Sequence, residues 1–424
     1  MPEMRGGVRP GWWAAVAAAG TLALLSGCGA KTGLEVPDAA IDSGRSRDAG
    51  VDSGPDASLP CVELLPDAGP VELPLDTEVE VGRADVVFLV DTTASMDQEI
   101  DQIKANLRDR LAPGIRETIP DARLGVAIFA DFPVGPCGDP GDVPFSLVLP
   151  VTEDVARVQA AVSSIETAQG RDTPESQVEA LYQIATGEGR GTFVPPSLGC
   201  PRGGFGYPCF RDDALPVVLL FTDAPFHNGP GGSNPYECPL PVRPATYEQA
   251  VRELVARGIR VMGMYSGSGD GRRDLETIAR DTGALDRGVP IVFDIGEGGN
   301  RLSEGVIQSI RTLASVIELD IDLLLVDPDP RDGIDPREFV DRVIPLRAEP
   351  MDGVGEIDAA TGVFRRVRTG TRVVFQLSLR NDVVAPGVGP QRFRLEVVFR
   401  GDGRQRLASR ILEIVVPGSD GSGC

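Results

Sequence analysis

The chain has 424 residues, a formal net charge of −22 and 42% hydrophobic residues. That length implies more than one core, because single cores rarely outgrow about 250–300 residues. The charge excludes a general nucleic-acid binder, and the single histidine, His227, excludes a His-rich zinc site.

The first segment reads as an address. Arg5 and Arg9 make a basic start, and residues 12–25 form an apolar run too short for an ordinary membrane span. The run ends in Leu25-Ser26-Gly27-Cys28. This resembles the lipobox of bacterial lipoproteins, in which the cysteine is lipidated and becomes the first residue. The expectation is a signal peptide at 1–27, a lipid on Cys28 and residence in the cell envelope. Gly29 rather than Asp follows the cysteine, which favours the outer membrane of a two-membrane bacterium. Residues 28–60 are rich in Asp, Gly, Ser and Ala, lack aromatics and read as a disordered tether. Their Asp and Gly show no fixed period, which argues against calcium repeats.

Six further cysteines suit an oxidising compartment: Cys61, Cys137, Cys200, Cys209, Cys238 and Cys424. Cys200 and Cys209 share one Gly- and Pro-rich segment and form the first candidate pair. Cys137 with Cys238 is a second. Cys61 and Cys424 either pair or leave Cys424 free.

Residues 61–82 read as a β-rich lead-in. Residues 83–315 alternate strand and helix. The run 84–91 (ADVVFLVD) is apolar throughout, as a parallel strand buried on both faces would be. A helix at 96–111 follows, then strands at 123–131 and 145–151. Helices at 153–165 and from 175, with Pro174 in the first turn, precede another buried strand at 215–223. Helices at 247–256, 275–282 and 302–315 alternate with strands at 259–265 and 290–294. This predicts an α/β fold: a doubly wound, mostly parallel sheet with helices on both faces. Past residue 315 the pattern changes to half-buried strands at 317–326, 372–379, 392–400 and 406–416. They predict an all-β, sandwich-like domain over 316–417, with a flexible tail at 418–424. The acidic stretch 327–335 places prolines and glycine wrongly for a calcium loop and reads as a solvated turn.

Ligands on doubly wound sheets bind beyond the carboxyl ends of the strands. Asp91, Thr93 and Ser95 leave one such end at alternate positions, so their side chains can converge. Asp223 ends a later strand. Two hydroxyls with carboxylates make an all-oxygen site for a hard divalent cation. Taken singly, Asp91 and Asp223 would serve equally well as helix N-caps, as would Thr93 and Ser95. His227, four residues past Asp223, reads first as a loop histidine with a local hydrogen bond. The stapled segment 195–211 is expected near the same sheet edge.

The run Phe88-Leu89-Val90-Asp91-Thr92-Thr93-Ala94-Ser95-Met96 resembles the first metal loop of von Willebrand factor type A (VWA) domains, D-x-S/T-x-S. Leu219-Leu220-Phe221-Thr222-Asp223-Ala224 is similar to their later Asp loop. The resemblance covers about residues 83–315. It implies a metal-ion-dependent adhesion site, usually holding Mg²⁺ with Ca²⁺ or Mn²⁺ as alternatives, that binds a protein ligand. Such a ligand would offer an Asp or Glu to the metal. Asp172-Thr173-Pro174-Glu175 resembles a loop of integrin β subunits, which implies Glu175 as a ligand and Thr173 as its fallback. By the same likeness Asp172 and Glu99 would serve a second metal, although Gln98 replaces an expected acid beside Glu99. The resemblance also suggests that the lead-in completes the β domain across an inserted metal domain.

The leading expectation is therefore a surface lipoprotein that binds a protein through a metal, touching membrane through its lipid alone and binding no nucleic acid. An enzyme is not expected, since GxSxG, HExxH and P-loop motifs are missing from the sequence. A metal-assisted hydrolase and a structural envelope protein with a stabilising metal are the alternatives.

Overall fold

The computed structural model describes residues 61–424 except 67, 268 and 332. The expected signal peptide, the lipidation residue Cys28 and the tether lie outside the described residues.

Two short strands come first, β1 (Cys61–Glu63) and β2 (Val71–Glu78). The alternating part follows: β3 (Arg83–Asp91), α1 (Asp97–Asn106), α2 (Ala112–Thr118), β4 (Asp121–Phe129), β5 (Ser146–Thr152), α3 (Val155–Ser163) and α4 (Gln177–Thr186). It continues with β6 (Leu215–Thr222), α5 (Tyr247–Ala256), β7 (Arg260–Tyr265) and α6 (Gly271–Asp281). A small hairpin of β8 (Leu285–Asp286) and β9 (Val289–Pro290) leads to β10 (Val292–Asp294) and α7 (Leu302–Val316). The rest is β: β11 (Glu318–Val326), β12 (Val340–Glu349), β13 (Val354–Asp358), β14 (Val363–Arg368), β15 (Arg372–Leu379), β16 (Gln391–Gly401) and β17 (Gln405–Val416).

The central sheet has the order β10-β7-β6-β3-β4-β5. Its neighbours are parallel except β4 and β5, which are antiparallel. Helices cover both faces, as the unbroken apolar strands require. Phe88 and Val90 of β3 pack in one core with Ile100 of α1, Ile115 of α2 and Ile310 of α7. Val87 and Leu89 point the other way, into a core with Leu181 of α4, Leu254 of α5 and Leu275 of α6. Chain order reverses at β3, whose neighbours are β4 and β6, and this switch point opens a crevice at the strand ends.

Helix α6 starts at Gly271 rather than 275 and α3 is shorter at both ends than expected, and two further departures bear on the site. The predicted run 96–111 is divided, because Pro113 lacks an N–H and the helix widens to a π turn over Leu107–Leu111 before α2. The helix expected from 175 starts at Gln177. Glu175 is instead held extended beside Phe226, its N–H donating to the Pro225 carbonyl (3.0 Å) and its carbonyl accepting from His227 N–H (2.8 Å).

The β part has a six-stranded sheet, β1-β17-β16-β11-β14-β13, and a three-stranded sheet, β12-β15-β2. They face each other through aromatic contacts. Phe375 of β15 meets Phe364 of β14 at 4.9 Å and Phe399 of β16 at 6.0 Å between ring centroids. The lead-in belongs to this part: β2 pairs with β15 from Val71 to Glu78, and β1 pairs with β17. The α/β part is thus an insertion between strands of the β part. Strands β12 to β14 were not foreseen, since charged residues such as Asp341, Arg342, Arg365 and Arg366 interrupt the apolar alternation.

Disulfides join Cys61 to Cys424, Cys137 to Cys238 and Cys200 to Cys209. The expected flexible tail is therefore fastened. Cys424 is bonded to Cys61, and Ser419 N–H donates to the Gly387 carbonyl at 3.0 Å. In the acidic turn after β11, Arg331 pairs with Asp329 and Arg337 with Asp335.

Candidate metal centre

Asp91 is the last residue of β3 and is fully buried. Its Oδ1 accepts from the Thr93 N–H (3.0 Å) and the Thr93 hydroxyl (2.7 Å). Its Oδ2 accepts from the Thr222 hydroxyl at 2.6 Å. That hydroxyl itself accepts from Gln177 Nε2 (3.0 Å) and from Ala224 N–H (3.1 Å). Two donors aimed at one oxygen leave its own proton to point at Asp91. The Ser95 hydroxyl donates to Asp223 Oδ1 at 3.1 Å and lies 3.4 Å from Thr93 Oγ1. Asp91, Thr93, Ser95 and Asp223 therefore form one connected set across the ends of β3 and β6. Thr92 pins the loop to β4, its N–H and hydroxyl both donating to the Phe129 carbonyl.

A cleft of about 290 Å³ opens over this set, lined also by Thr173, Glu175 and Arg171. Glu175 is 3% exposed, and its Oε2 is buried without a hydrogen-bond partner among the described residues. Burial and the charges of Asp91, Asp131, Asp172 and Asp142 push its carboxyl up to about 11. Burial likewise raises Asp91 to about 7, against the pull of the Thr222 and Thr93 hydrogen bonds, with Asp223 adding a smaller push. Gly170, at φ +66°, packs closely here: a Cβ on it would stand 3.1 Å from Glu175 Oε1 and 3.2 Å from Thr93 Cγ2. A divalent cation fits this donor set. The oxygens are hard, the acids crowd one another, and an orphaned carboxylate oxygen lacks a partner.

Beside it lies a second group that the sequence reading missed. Asp131, Cys137, Asp172 and His227 bring potential ligand atoms within 4.8 Å of one another. Cys137 is disulfide-bonded and offers no thiolate. His227 is 2% exposed, with Nε2 at 3.1 Å from Asp131 and 3.3 Å from Asp172. Its Nδ1 faces the Asn234 carbonyl at 2.9 Å, and its ring stacks on Tyr236 at 4.0 Å. Burial lowers the His227 pKa, but the Asp131 hydrogen bond and charge outweigh it and the net shift is upward. The expected local loop hydrogen bond is present, to Asn234, and the other ring nitrogen faces Asp131 and Asp172. The visible signal for Asp131 was its place at the end of the strand 123–131, beside the end of β3.

The structure does not bring Glu99 and Asp172 together as one second metal site. Glu99 lies on α1 on the β7 and β10 side, its carboxyl buried and its Oε2 without a hydrogen-bond partner among the described residues. Asp172 sits with Asp131, on the β4 side. Strand β3 and its loop separate the two, because β4 and β7 lie on opposite sides of it. The stapled segment is also displaced from the expected edge. Helix α4 carries the chain about 15 Å along the sheet before it. Arg211, which ends the segment, pairs with Asp85 and Asp121 near the strands' amino ends.

The sheet order, the two covered faces and the loop set at the switch point define a VWA-like α/β fold with an additional β-rich part. No family model matches the chain. Integrin beta-6 from Rattus norvegicus and Mus musculus is 26% identical to it over 162 residues, covering 34% of this chain and 18% of the relative. The human protein matches over the same extent. The chain thus spans about a fifth of the length of these relatives. Among solved structures, a von Willebrand factor type A protein from Catenulispora acidiphila is similar with a TM-score of 0.34 and 11% identity, over 85% of this chain and 72% of that one. Proximal thread matrix protein 1 from the mussel byssus gives a TM-score of 0.34 and 14% identity, over 59% and 51% of the two chains.

Proposed function

We propose that this chain is a lipid-anchored protein of the cell envelope, in the outer membrane, whose VWA-like domain binds a protein ligand through a divalent metal. Asp91, Thr93, Ser95, Glu175 and Asp223 would hold the ion, with Mg²⁺ first and Ca²⁺ or Mn²⁺ as alternatives. Thr173 lines the same cleft as a substitute donor. The buried Glu175 carboxyl, with Oε2 unpartnered among four further acids, carries this reading. Once bound, the ion would supply an electrophilic position for an Asp or Glu side chain of the partner. The protein's own part is to fix the loops: Thr222 and Gln177 orient Asp91, and Thr92 ties its loop to β4. The lipid on Cys28 would be the contact with membrane. Among the described residues no helix is long and apolar enough to cross one. We infer no enzymatic role and no nucleic-acid partner.

Calorimetric titration of Mg²⁺, Ca²⁺ and Mn²⁺ into chelated protein tests the proposal. Binding near one equivalent, lost in Asp91→Ala and weakened in Glu175→Ala, is expected. A Mg²⁺-dependent capture of a protein from cell-surface extracts, abolished by chelator and by Asp91→Ala, should follow. Folded wild type that takes up none of the three ions would overturn it.

A further inference from the structure

The opposite end of the sheet carries a cavity of about 320 Å³ that plays no part in the metal centre. It lies where the α/β part meets the β16–β17 hairpin. Its charge runs against that of the chain: Arg257, Arg260 and Arg404 line it with Asp402 as the acid, in a protein of net charge −22.

The arginines are incompletely satisfied. Glu253 holds Arg257 at 2.6 Å. Arg260 donates to the Thr282 carbonyl at 2.8 Å, but its Nε has no hydrogen-bond partner and Asp402 stands 3.7 Å away, beyond hydrogen-bonding reach. Gly283, at φ +74°, leaves the room this guanidinium occupies, since a Cβ there would fall 2.5 Å from it. Arg404 is exposed, donates one N–H to the Arg257 carbonyl at 3.4 Å, has no acid partner among the described residues and lies over the Phe205 ring at 5.6 Å. Phe205 belongs to the Cys200–Cys209 segment, where paired backbone hydrogen bonds with Phe210 (2.9 and 3.0 Å) hold it. Pro216 and Val255, the latter 53% exposed, complete an apolar wall.

Guanidinium groups beside an apolar wall match an oxyanion joined to an apolar body, because the planar fork donates to two oxygens while the ring or chain stacks alongside. The volume falls in the range of small-ligand pockets. We propose that this cavity binds a small organic oxyanion, a carboxylate or phosphate carried on an apolar group, and that the anion ties the β part to the α/β part. Both parts supply cations: Arg404 from the hairpin, Arg257 from the end of α5 and Arg260 from the start of β7.

The test is thermal unfolding and calorimetry of the full chain with phenyl phosphate and with benzoate, beside inorganic phosphate and benzyl alcohol. At least one aromatic anion should raise Tm saturably and more than inorganic phosphate does, with no shift from benzyl alcohol. Whether phenyl phosphate or benzoate acts then identifies the oxyanion. Arg404→Ala removes an exposed side chain without opening a core, and should weaken binding at least about tenfold. The proposal is overturned if neither anion binds saturably, or if Arg404→Ala binds as well as wild type. Equal shifts from inorganic phosphate and phenyl phosphate, or from benzyl alcohol and benzoate, would overturn it as well.

Discussion

Metal binding at the β3–β6 crevice should expel protons, in a number set by the burial of two carboxyls. Glu175 is raised to about 11 and Asp91 to about 7 in the metal-free chain. At pH 7 Glu175 then keeps its proton, and Asp91 keeps about half of one. A divalent ion takes the ionised carboxylates, so binding must displace about 1.5 protons at pH 7. By linkage, Mg²⁺ affinity rises roughly thirtyfold per pH unit near that point. Stability of the metal-free chain runs the other way. Both pKa values lie above their unfolded values, so the stability the two groups confer is fully present below about pH 4 and is lost as pH rises. Each proton held costs about 1.4 kcal/mol per pH unit in that window. The Asp91 contribution is spent near pH 7, whereas that of Glu175 keeps falling beyond.

The assay is calorimetry in two buffers of different protonation heat at pH 6, 7 and 8, with urea unfolding in chelator and in saturating Mg²⁺. Glu175→Gln keeps the side-chain shape and removes the ionisable proton. It should cut the release by about one proton at pH 7, weaken the metal and make the metal-free chain more stable than wild type at neutral pH. Mg²⁺ binding by wild type without proton release would refute the burial argument. Unchanged Mg²⁺ affinity in Glu175→Gln would remove Glu175 from the ligand set.

Four other variants probe the site and the frame that carries it. Arg211→Met leaves Asp85, fully buried and paired with it at 2.8 Å, without its cation, and should cost about 3–5 kcal/mol in urea unfolding. Arg311→Ala, which breaks an exposed pair with Glu117, should change stability by less than about 0.5 kcal/mol in the same assay. Gly170→Ala puts a methyl group 3.1 Å from Glu175 Oε1 on a left-handed backbone, and should lower Mg²⁺ affinity about tenfold while costing about 1–2 kcal/mol of stability. Cys61→Ser with Cys424→Ser frees strand β1, which is three residues long, so hydrogen exchange at Leu64, bonded to Val415, should quicken before that at Ile414.

The sequence carried the α/β part because its strands are continuous apolar runs and its helices have one apolar face. Residues 84–91 and 215–223 read correctly for that reason. The β part was legible where alternation is clean, as in 372–379, and illegible from 340 to 368, where arginines and acids pair on the surface instead. Asp91, Thr93, Ser95 and Asp223 could be grouped because a strand end fixes where its loop begins. Asp131 stood at such an end too, but its partner His227 comes from a loop whose path depends on tertiary contacts. The pairing of β2 with β15 joins residues far apart in the chain, and no local pattern announces it.

Most buried acids of this chain beyond the crevice are met by a base or a backbone N–H. Asp85 has Arg211 at 2.8 Å, Glu179 has Arg190 at 2.8 Å, and Asp131 has His227 at 3.1 Å. Asp274, lacking a base, takes the Phe226 N–H at 2.9 Å. At the crevice the pattern stops. Asp91 is met by neutral donors, and among the described residues Glu175 Oε2 by none, as is Glu99 Oε2 on α1 near Asp223. Arg171 lines the same cleft but is engaged by Asp139. A buried carboxylate without a partner costs several kcal/mol unless it keeps a proton or gains a cation. A proton would satisfy Glu175 in the metal-free fold, yet it does not account for the Thr93 and Ser95 hydroxyls and Asp223 facing one open cleft, held by Asp91 and by one another. A bound divalent ion accounts for the carboxylates and the hydroxyls together. The proton count on titration separates the two states, because a site kept for its proton would release none when Mg²⁺ is added.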